Sequence, residues 1–307
     1  MKAESRLESV LDNEFFTVTA ECGPPRGADP EVIRKKAELL KGSADAFNIT
    51  DNQTSVVRMS SMAAAVILMQ QGLEPIMQMV CRDRNRIAIQ SDILGASALG
   101  IRNILCLSGD HQKFGDHPTA KNVFDLDSIQ LIQTVKQMRD ESKFISGEEI
   151  KSPPRLFIGA AENPFADPFE LRVVRLAKKV AAGVDFIQTQ CVFNLDKFEQ
   201  WMRMVCDRRL DENVYILAGV TPLKSLGMAN YIKKSVPGMD VPDELINRIK
   251  GVPKEKREEE GIAICVESIE RIKKIKGVKG VHIMAIEWEE KVKEIAKRAS
   301  LLPRPEV

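Results

Sequence analysis

Short apolar runs rich in Val, Ile, Phe and Met alternate along the whole chain with longer stretches whose apolar positions recur every three or four residues. The first pattern predicts buried strands and the second amphipathic helices, so the chain reads as strand–helix units wound around a parallel sheet. Strands are predicted at 16–21, 46–50, 75–80, 103–107, 156–160, 185–190, 214–218 and 280–286, with helical patterns at 30–40, 55–71, 86–99, 128–139 and 168–182. Asp29-Pro30 and Asp167-Pro168 read as helix starts, an acidic N-cap ahead of a proline already set to helical φ. Gly72, Gly100 and Gly183 read as helix stops.

Eight such units in 307 residues fit an α/β (β/α)8 TIM barrel better than a doubly wound sheet, since no G-x-G-x-x-G follows the first strand. The expectation is a single barrel domain over 1–307, with a helical lead-in at 1–14 and a helical insertion at 240–276 before the last strand. Within that insertion, segments 243–250 and 258–275 are expected to decorate one side. The charged stretches 253–260 and 271–276 read as solvated helix surface.

Enzymes on this fold place their chemistry at the carboxyl ends of the strands. Glu21 closes the first apolar run and is followed at once by Cys22-Gly23-Pro24-Pro25-Arg26, which puts a carboxylate between low-dielectric packing and a proline-stiffened loop. A carboxyl there is a candidate acid with a raised pKa. The other strand ends add Thr50-Asp51-Asn52, Cys81-Arg82-Asp83, Ser108-Gly109-Asp110, Glu162-Asn163, Gln188 with Gln190, Thr221 and Glu287. The connection 108–125 is the longest on that face, and its glycines, aromatics and mixed charges suit a loop that covers a ligand.

No lysine falls within the predicted strands and no glycine-rich phosphate cradle follows the seventh or eighth, which argues against a Schiff-base aldolase. A rim of acids beside amides suits the amino-pyrimidinone edge of a pterin or flavin, which offers donors and acceptors side by side. A charge-assisted bond of that kind contributes about 1.5–3 kcal/mol. The alternative for Glu21 and Asp110 is structural: capping loops or pairing with Arg26 and Arg82.

Composition narrows the classes further. A net charge of +1 gives no long-range field for nucleic acid or an anionic membrane, and no basic stripe with interleaved aromatics occurs. The charged start lacks an apolar signal core and the longest apolar stretch, 62–69, is too short to span a bilayer, so a soluble, cytoplasmic protein is expected. The six cysteines, Cys22, Cys81, Cys106, Cys191, Cys206 and Cys265, include no C-x-x-C pair and read as reduced core residues, with no metal site expected. Cys22, Cys81 and Cys191 each follow a strand run, which leaves a discontinuous cluster as the alternative. His111 and His117 share a loop at a spacing that matches no helix-borne ligand pair.

Five motifs carry a resemblance: Ala20-Glu21-Cys22-Gly23-Pro24-Pro25-Arg26, Asn48-Ile49-Thr50-Asp51-Asn52, Leu107-Ser108-Gly109-Asp110, Gln188-Thr189-Gln190 and Gly219-Val220-Thr221-Pro222. In this order, over about 15–303, the chain resembles the methylenetetrahydrofolate reductase family of flavin-dependent barrels, and most of all its short bacterial subunits, some of which work with a separate iron–sulfur or zinc partner. The resemblance implies reduction of 5,10-methylenetetrahydrofolate to 5-methyltetrahydrofolate by hydride transfer from flavin N5. Glu21 would be the general acid that protonates N10, Asp110 would grip the pterin edge and place a negative charge near the flavin, and Gln190 would bond the folate. Thr50 and the Ser108-Gly109 backbone would touch the isoalloxazine, Gln78 stands at the position of a family histidine, and Lys179 matches a lysine that helps hold the cofactor phosphates.

Departures from the family pattern set FMN beside FAD as the implied cofactor. Ser108 replaces an arginine, Arg172 an acidic cofactor contact, and Leu226 an aromatic that stacks on ligand. The resemblance leaves the electron donor between NAD(P)H and a partner iron–sulfur or zinc subunit, and implies an oligomer or hetero-complex. A pterin-binding methyltransferase is one alternative, although the neighbouring cysteines of a zinc thiolate site are missing from the sequence. A non-catalytic barrel subunit of a larger redox complex is the other.

Overall fold

The computed structural model describes residues 1–236 and 238–307. Eight strands, β1 (Thr17–Glu21), β2 (Ala46–Ile49), β3 (Pro75–Val80), β4 (Asn103–Leu107), β5 (Phe157–Glu162), β6 (Phe186–Cys191), β7 (Tyr215–Val220) and β8 (Val278–Ile283), close into an all-parallel barrel in sequence order, with β8 pairing β1. The shell around it contains α1 (Arg6–Asp12), α2 (Glu31–Leu40), α3 (Ser61–Gln70), α4 (Arg86–Ala98), α5 (Ser128–Lys136), α6 (Glu170–Ala182), α7 (Leu195–Asp207), α8 (Leu226–Ser235), α9 (Asp243–Gly251), α10 (Arg257–Ile272) and α11 (Val292–Arg298). The (β/α)8 barrel expected from the apolar pattern is the architecture observed.

Strand alternation sorts the side chains. Val18, Ala20, Phe47, Ile49, Met77, Met79, Ile104, Ile158, Val281 and Ile283 belong to the main core between sheet and helices, while their neighbours point into the barrel. The interior has three levels. At the amino-terminal end Ala46, Ile76, Leu105, Phe157, Phe186 and Leu217 form an apolar plug, which Ala3, Leu7 and Leu11 close from below. The rings of Phe157 and Phe186 stack at 5.3 Å.

Above the plug lies a polar level. The Asn48 amide donates to Gln188 Oε1 at 2.6 Å, and Gln188 Nε2 donates back to Asn48 Oδ1 and to Thr19 Oγ1, each at 3.0 Å. Thr19 Oγ1 in turn lies 2.9 Å from His282 Nδ1. These buried groups from β1, β2, β6 and β8 satisfy one another, and they form the floor on which the third level, an open cavity, rests.

Three local expectations are corrected. The helix expected over 55–71 starts at Ser61, whose preceding residue Ser60 caps it through Ala63 N–H. Residues ahead of it are drawn into tertiary bonds instead: Thr54 N–H donates to the Asp110 carboxylate at 3.1 Å and Arg58 N–H to Asn52 Oδ1 at 3.0 Å, while Asn52, Thr54 and Ser55 take positive φ. Such bonds compete with the helical ladder. Asp167 caps nothing, since α6 begins at Glu170 with no side-chain cap. The strand expected at 156–160 extends to Glu162, and that shift turns Glu162 outward to the helix shell rather than to the rim.

Between β7 and β8, α10 buries Ile262, Cys265, Ile269 and Ile272 in the main core. It therefore belongs to the barrel shell. Helices α8 and α9 build a separate apolar cluster around Leu223, Ala229, Ile249 and Ile264, so only part of the 240–276 stretch decorates the outside.

Candidate active site

At the carboxyl ends of the strands a cavity of about 310 Å³ is lined by Glu21, Asn48, Gln53, Gln78, Arg82, Ser108, Gly109, Asp110, Gln188, Gln190, His282 and Met284, among others. Of the residues singled out from the sequence, Glu21, Gln78, Ser108, Gly109, Asp110 and Gln190 meet in this lining. Thr50 lies just past β2 and is buried, and its hydroxyl has no hydrogen-bond partner among the described residues. Lys179 is absent from the lining: it is buried beside β5, where its ammonium bonds the Glu162 carboxylate at 2.6 Å and the Ala161 carbonyl.

Glu21 is the last residue of β1 and, by alternation from Thr17 and Thr19, points inward. Its carboxyl is pushed up from an ordinary 4.5 to about 7, chiefly by burial and then by the charge of Glu289, against the opposing pull of Lys36, Gln53 and Arg58. A substantial share of these groups is then protonated near neutral pH, which is the state a general acid needs. His282 on the floor shifts the other way. Burial lowers it to about 3 and keeps the ring neutral.

Asp110 is exposed at the mouth, and the structure gives it a different support from either predicted arginine pair. Arg26 pairs with Asp116 at 2.6 Å and Arg82 with Asp83 at 2.7 Å. The Asp110 carboxylate instead accepts Thr54 N–H. Its carbonyl accepts from the buried Arg82 guanidinium at 3.0 Å, and the same nitrogen reaches Ser55 Oγ at 2.7 Å. Arg82 thus ties the loop after β2 to the loop after β4. Gly109 makes the close approach feasible: its φ is +89°, and a Cβ there would lie 3.0 Å from Val80 Cβ.

Gln188, Thr189 and Gln190 all line the cavity, although regular alternation would turn one of them away. A register shift between Gln188 and Cys191 against β7 is the cause, a bulge that re-aims side chains at the strand end. Gly219 on β7 permits it, because a Cβ there would meet Thr189 O at 2.3 Å.

Sequence reasoning missed Arg82 as a clamp and the Thr19, Asn48 and His282 floor. For His282 a signal was available, the inward period of Gly280 and His282 on the last strand continued by Met284 just past it. The cysteine cluster left open by the sequence does not form: Cys22 and Cys81 pack in the main core, and burial pushes the Cys22, Cys81 and Cys191 thiols up to about 12. No group of His, Cys, Asp and Glu among the described residues is arranged to hold a metal. His117 pairs with Asp116 at 2.9 Å on the exposed loop, and no helix among the described residues is long and apolar enough to cross a membrane.

A closed barrel with an acid, amides and a glycine turn converging on one polar cavity at its carboxyl-end mouth belongs to the ligand-binding (β/α)8 barrels. Among these the chain belongs to the methylenetetrahydrofolate reductase family, whose model matches residues 6–300. It is 22% identical over 311 residues to the probable methylenetetrahydrofolate reductase (NADPH) of Caenorhabditis elegans, covering 96% of this chain and 44% of that protein. To methylenetetrahydrofolate reductase 2 of Schizosaccharomyces pombe it is 27% identical over 183 residues, covering 56% of this chain and 27% of the relative. The chain spans less than half the length of these curated relatives. Its fold is also similar to that of a solved protein from Clostridium thermocellum described as binding two copies of 5-methyl-5,6,7,8-tetrahydrofolic acid, with a TM-score of 0.63, 15% identity, and coverage of 96% of this chain and 97% of that one.

Proposed function

We propose that this chain reduces 5,10-methylenetetrahydrofolate to 5-methyltetrahydrofolate, with Glu21 as the general acid. The observation that carries this reading is one cavity lining shared by Glu21, Asp110 and Gln190, with the Glu21 carboxyl held near neutral pKa. Family membership supports the substrate class.

The residues present fit a flavin. The unpartnered Thr50 hydroxyl, the Gln78 amide and the Ser108-Gly109 backbone offer polar groups to a planar, amide-rich ring. FAD is the proposed cofactor, with FMN as the alternative, and a bound reduced flavin would supply the hydride. Lys179 is the proposed phosphate contact, which requires its pair with Glu162 to loosen.

Asp110 accepts the N–H groups of the pterin edge and sets its orientation, while Gln190 bonds the folate. Glu21 delivers its proton to N10, the bond from N10 to the bridging carbon breaks with its electrons on nitrogen, and the carbon is left as a 5-iminium cation open to hydride. Burial, which keeps Glu21 protonated beforehand, is what makes the step accessible at neutral pH. The neutral His282 and the amide floor add no charge that would compete for that proton. The electron donor is proposed to be NAD(P)H or a partner iron–sulfur subunit, in a cytoplasmic oligomer or hetero-complex.

Two half-reactions test the proposal on the purified, flavin-loaded chain. Glu21→Gln should leave reduction of the flavin spectrum intact and slow its reoxidation by methylenetetrahydrofolate by ~10²–10⁴-fold. Equal losses in both halves, or a chain that takes up no flavin on reconstitution, would overturn it.

A further inference from the structure

Glu21 faces two spaces. On one side is the main cavity; on the other is a small cavity of about 40 Å³ that also touches Lys36, Arg58, Glu287 and Glu289. Among the described residues only Glu21 and Gln53 belong to both linings, so together they form the wall between them. The closure of β8 onto β1 explains the meeting, since it brings the turn after β8 beside the loop after β1.

Lys36 on α2 fixes this second space. Its ammonium donates to the Gly23 carbonyl at 3.1 Å, two residues beyond Glu21, and pairs with the buried Glu289 carboxylate at 2.5 Å. The cavity exceeds the ~10–15 Å³ that one water needs, and it is polar enough to hold one. Arg58, on its wall, carries a buried Nε with no hydrogen-bond partner among the described residues. Ile286 and Glu287 are exposed, so the space reaches the surface.

Resting on the proposed role of Glu21 as acid, we propose that Lys36 and Glu289 are its positioning residues, and that the small cavity is the route by which Glu21 regains its proton. Each turnover transfers one proton from Glu21 to N10 and leaves a carboxylate. One proton from solvent must then enter, and while folate still fills the main cavity the space behind Glu21 is the route left to it. The behind-wall route passes Glu287 at the surface, then water, then the Glu289 carboxylate. The charged and titratable groups around Glu21 are Lys36 from α2, Glu289 from the turn after β8, Arg58 from the loop before α3, and the neighbouring thiols of Cys22 and Cys191. Glu289 favours the protonated acid, whereas Lys36 and Arg58 oppose it.

The test compares wild type, Glu289→Gln, Lys36→Met and Glu21→Gln as full-length chains. Carbon-13 glutamate labelling reads the Glu21 titration directly in the flavin-free protein, with the signal assigned by its loss in Glu21→Gln. Removing Glu289 should move the midpoint down by about one pH unit and removing Lys36 should move it up, opposite shifts that general damage to the fold does not produce. In the flavin-loaded enzyme, Glu289→Gln should keep its single-turnover folate rate at low pH, lose steady-state turnover several-fold, and recover as the concentration of a small buffer acid rises. Unmoved titration midpoints, or a turnover indifferent to buffer, would overturn this assignment and leave Glu21 as acid untouched. An unimpaired folate half-reaction in Glu21→Gln would instead overturn the reading on which it rests.

Discussion

The Asn48 and Gln188 side chains exchange two hydrogen bonds, at 2.6 and 3.0 Å, across the inside of the barrel. They join β2 to β6, strands that are not neighbours, and close the floor of the cavity beneath Glu21 and Gln190. Replacing one partner by leucine leaves buried amide atoms of the other without the bonds they made and should cost about 1–3 kcal/mol, whereas Asn48→Leu with Gln188→Leu should cost less than the sum of the two. Urea unfolding of the three variants measures the difference.

Arg82 predicts a kinetic effect. Its guanidinium holds Ser55 Oγ, the Asp110 carbonyl and the Asn52 carbonyl in one fork, a geometry that a lysine cannot reproduce. Arg82→Lys should raise KM for the folate by about tenfold, the effect of ~1.4 kcal/mol, and increase protease cutting within 108–125. Unchanged KM with unchanged cutting would show that the loops hold without the clamp.

Glu21 predicts two pH dependences of known sign. As an acid it must be protonated, so the folate half-reaction should be fast below pH about 7 and fall roughly tenfold per pH unit above it. Its folded pKa lies above the unfolded value of 4.5, so its contribution to stability is fully present below that value and is lost as pH rises through about 7. The shift corresponds to on the order of 3 kcal/mol. Glu21→Gln should therefore be more stable than wild type at alkaline pH and differ little in acid, which parallel denaturation series would reveal.

Lys179 and Glu162 form a buried pair, and removing one partner strands the other's charge. Lys179→Met should cost about 3–5 kcal/mol, and most of that loss should return when Glu162→Gln is added. Flavin affinity in the double variant then separates the roles. Affinity near wild type would leave Lys179 a structural residue, while a loss without destabilisation would support the phosphate contact.

The period of the apolar positions was enough to place eight strands and the barrel, because strands buried on both faces carry near-continuous apolar runs that no amphipathic helix shares. The sequence also located Glu21, since a charge directly after such a run is costly unless it stands at a strand end. Strand ends themselves were less legible. Apolar residues continue past β8 to Ile286, which is half exposed, and nothing in the local pattern marks where the ladder stops.

Tertiary structure alone decided the rest. The bulge that turns Thr189 into the cavity beside Gln190 depends on the bare Gly219 of the next strand, and a register shift between strands leaves no local trace in either sequence. Arg82 and Glu289 look like ordinary charged residues along the chain. They acquire their positions because barrel closure sets β8 against β1 and packs the loop after β2 against the loop after β4. A local sequence pattern determines which face a residue takes, but only the closed sheet determines which distant groups share a low-dielectric space, and that space is what moves the Glu21 pKa.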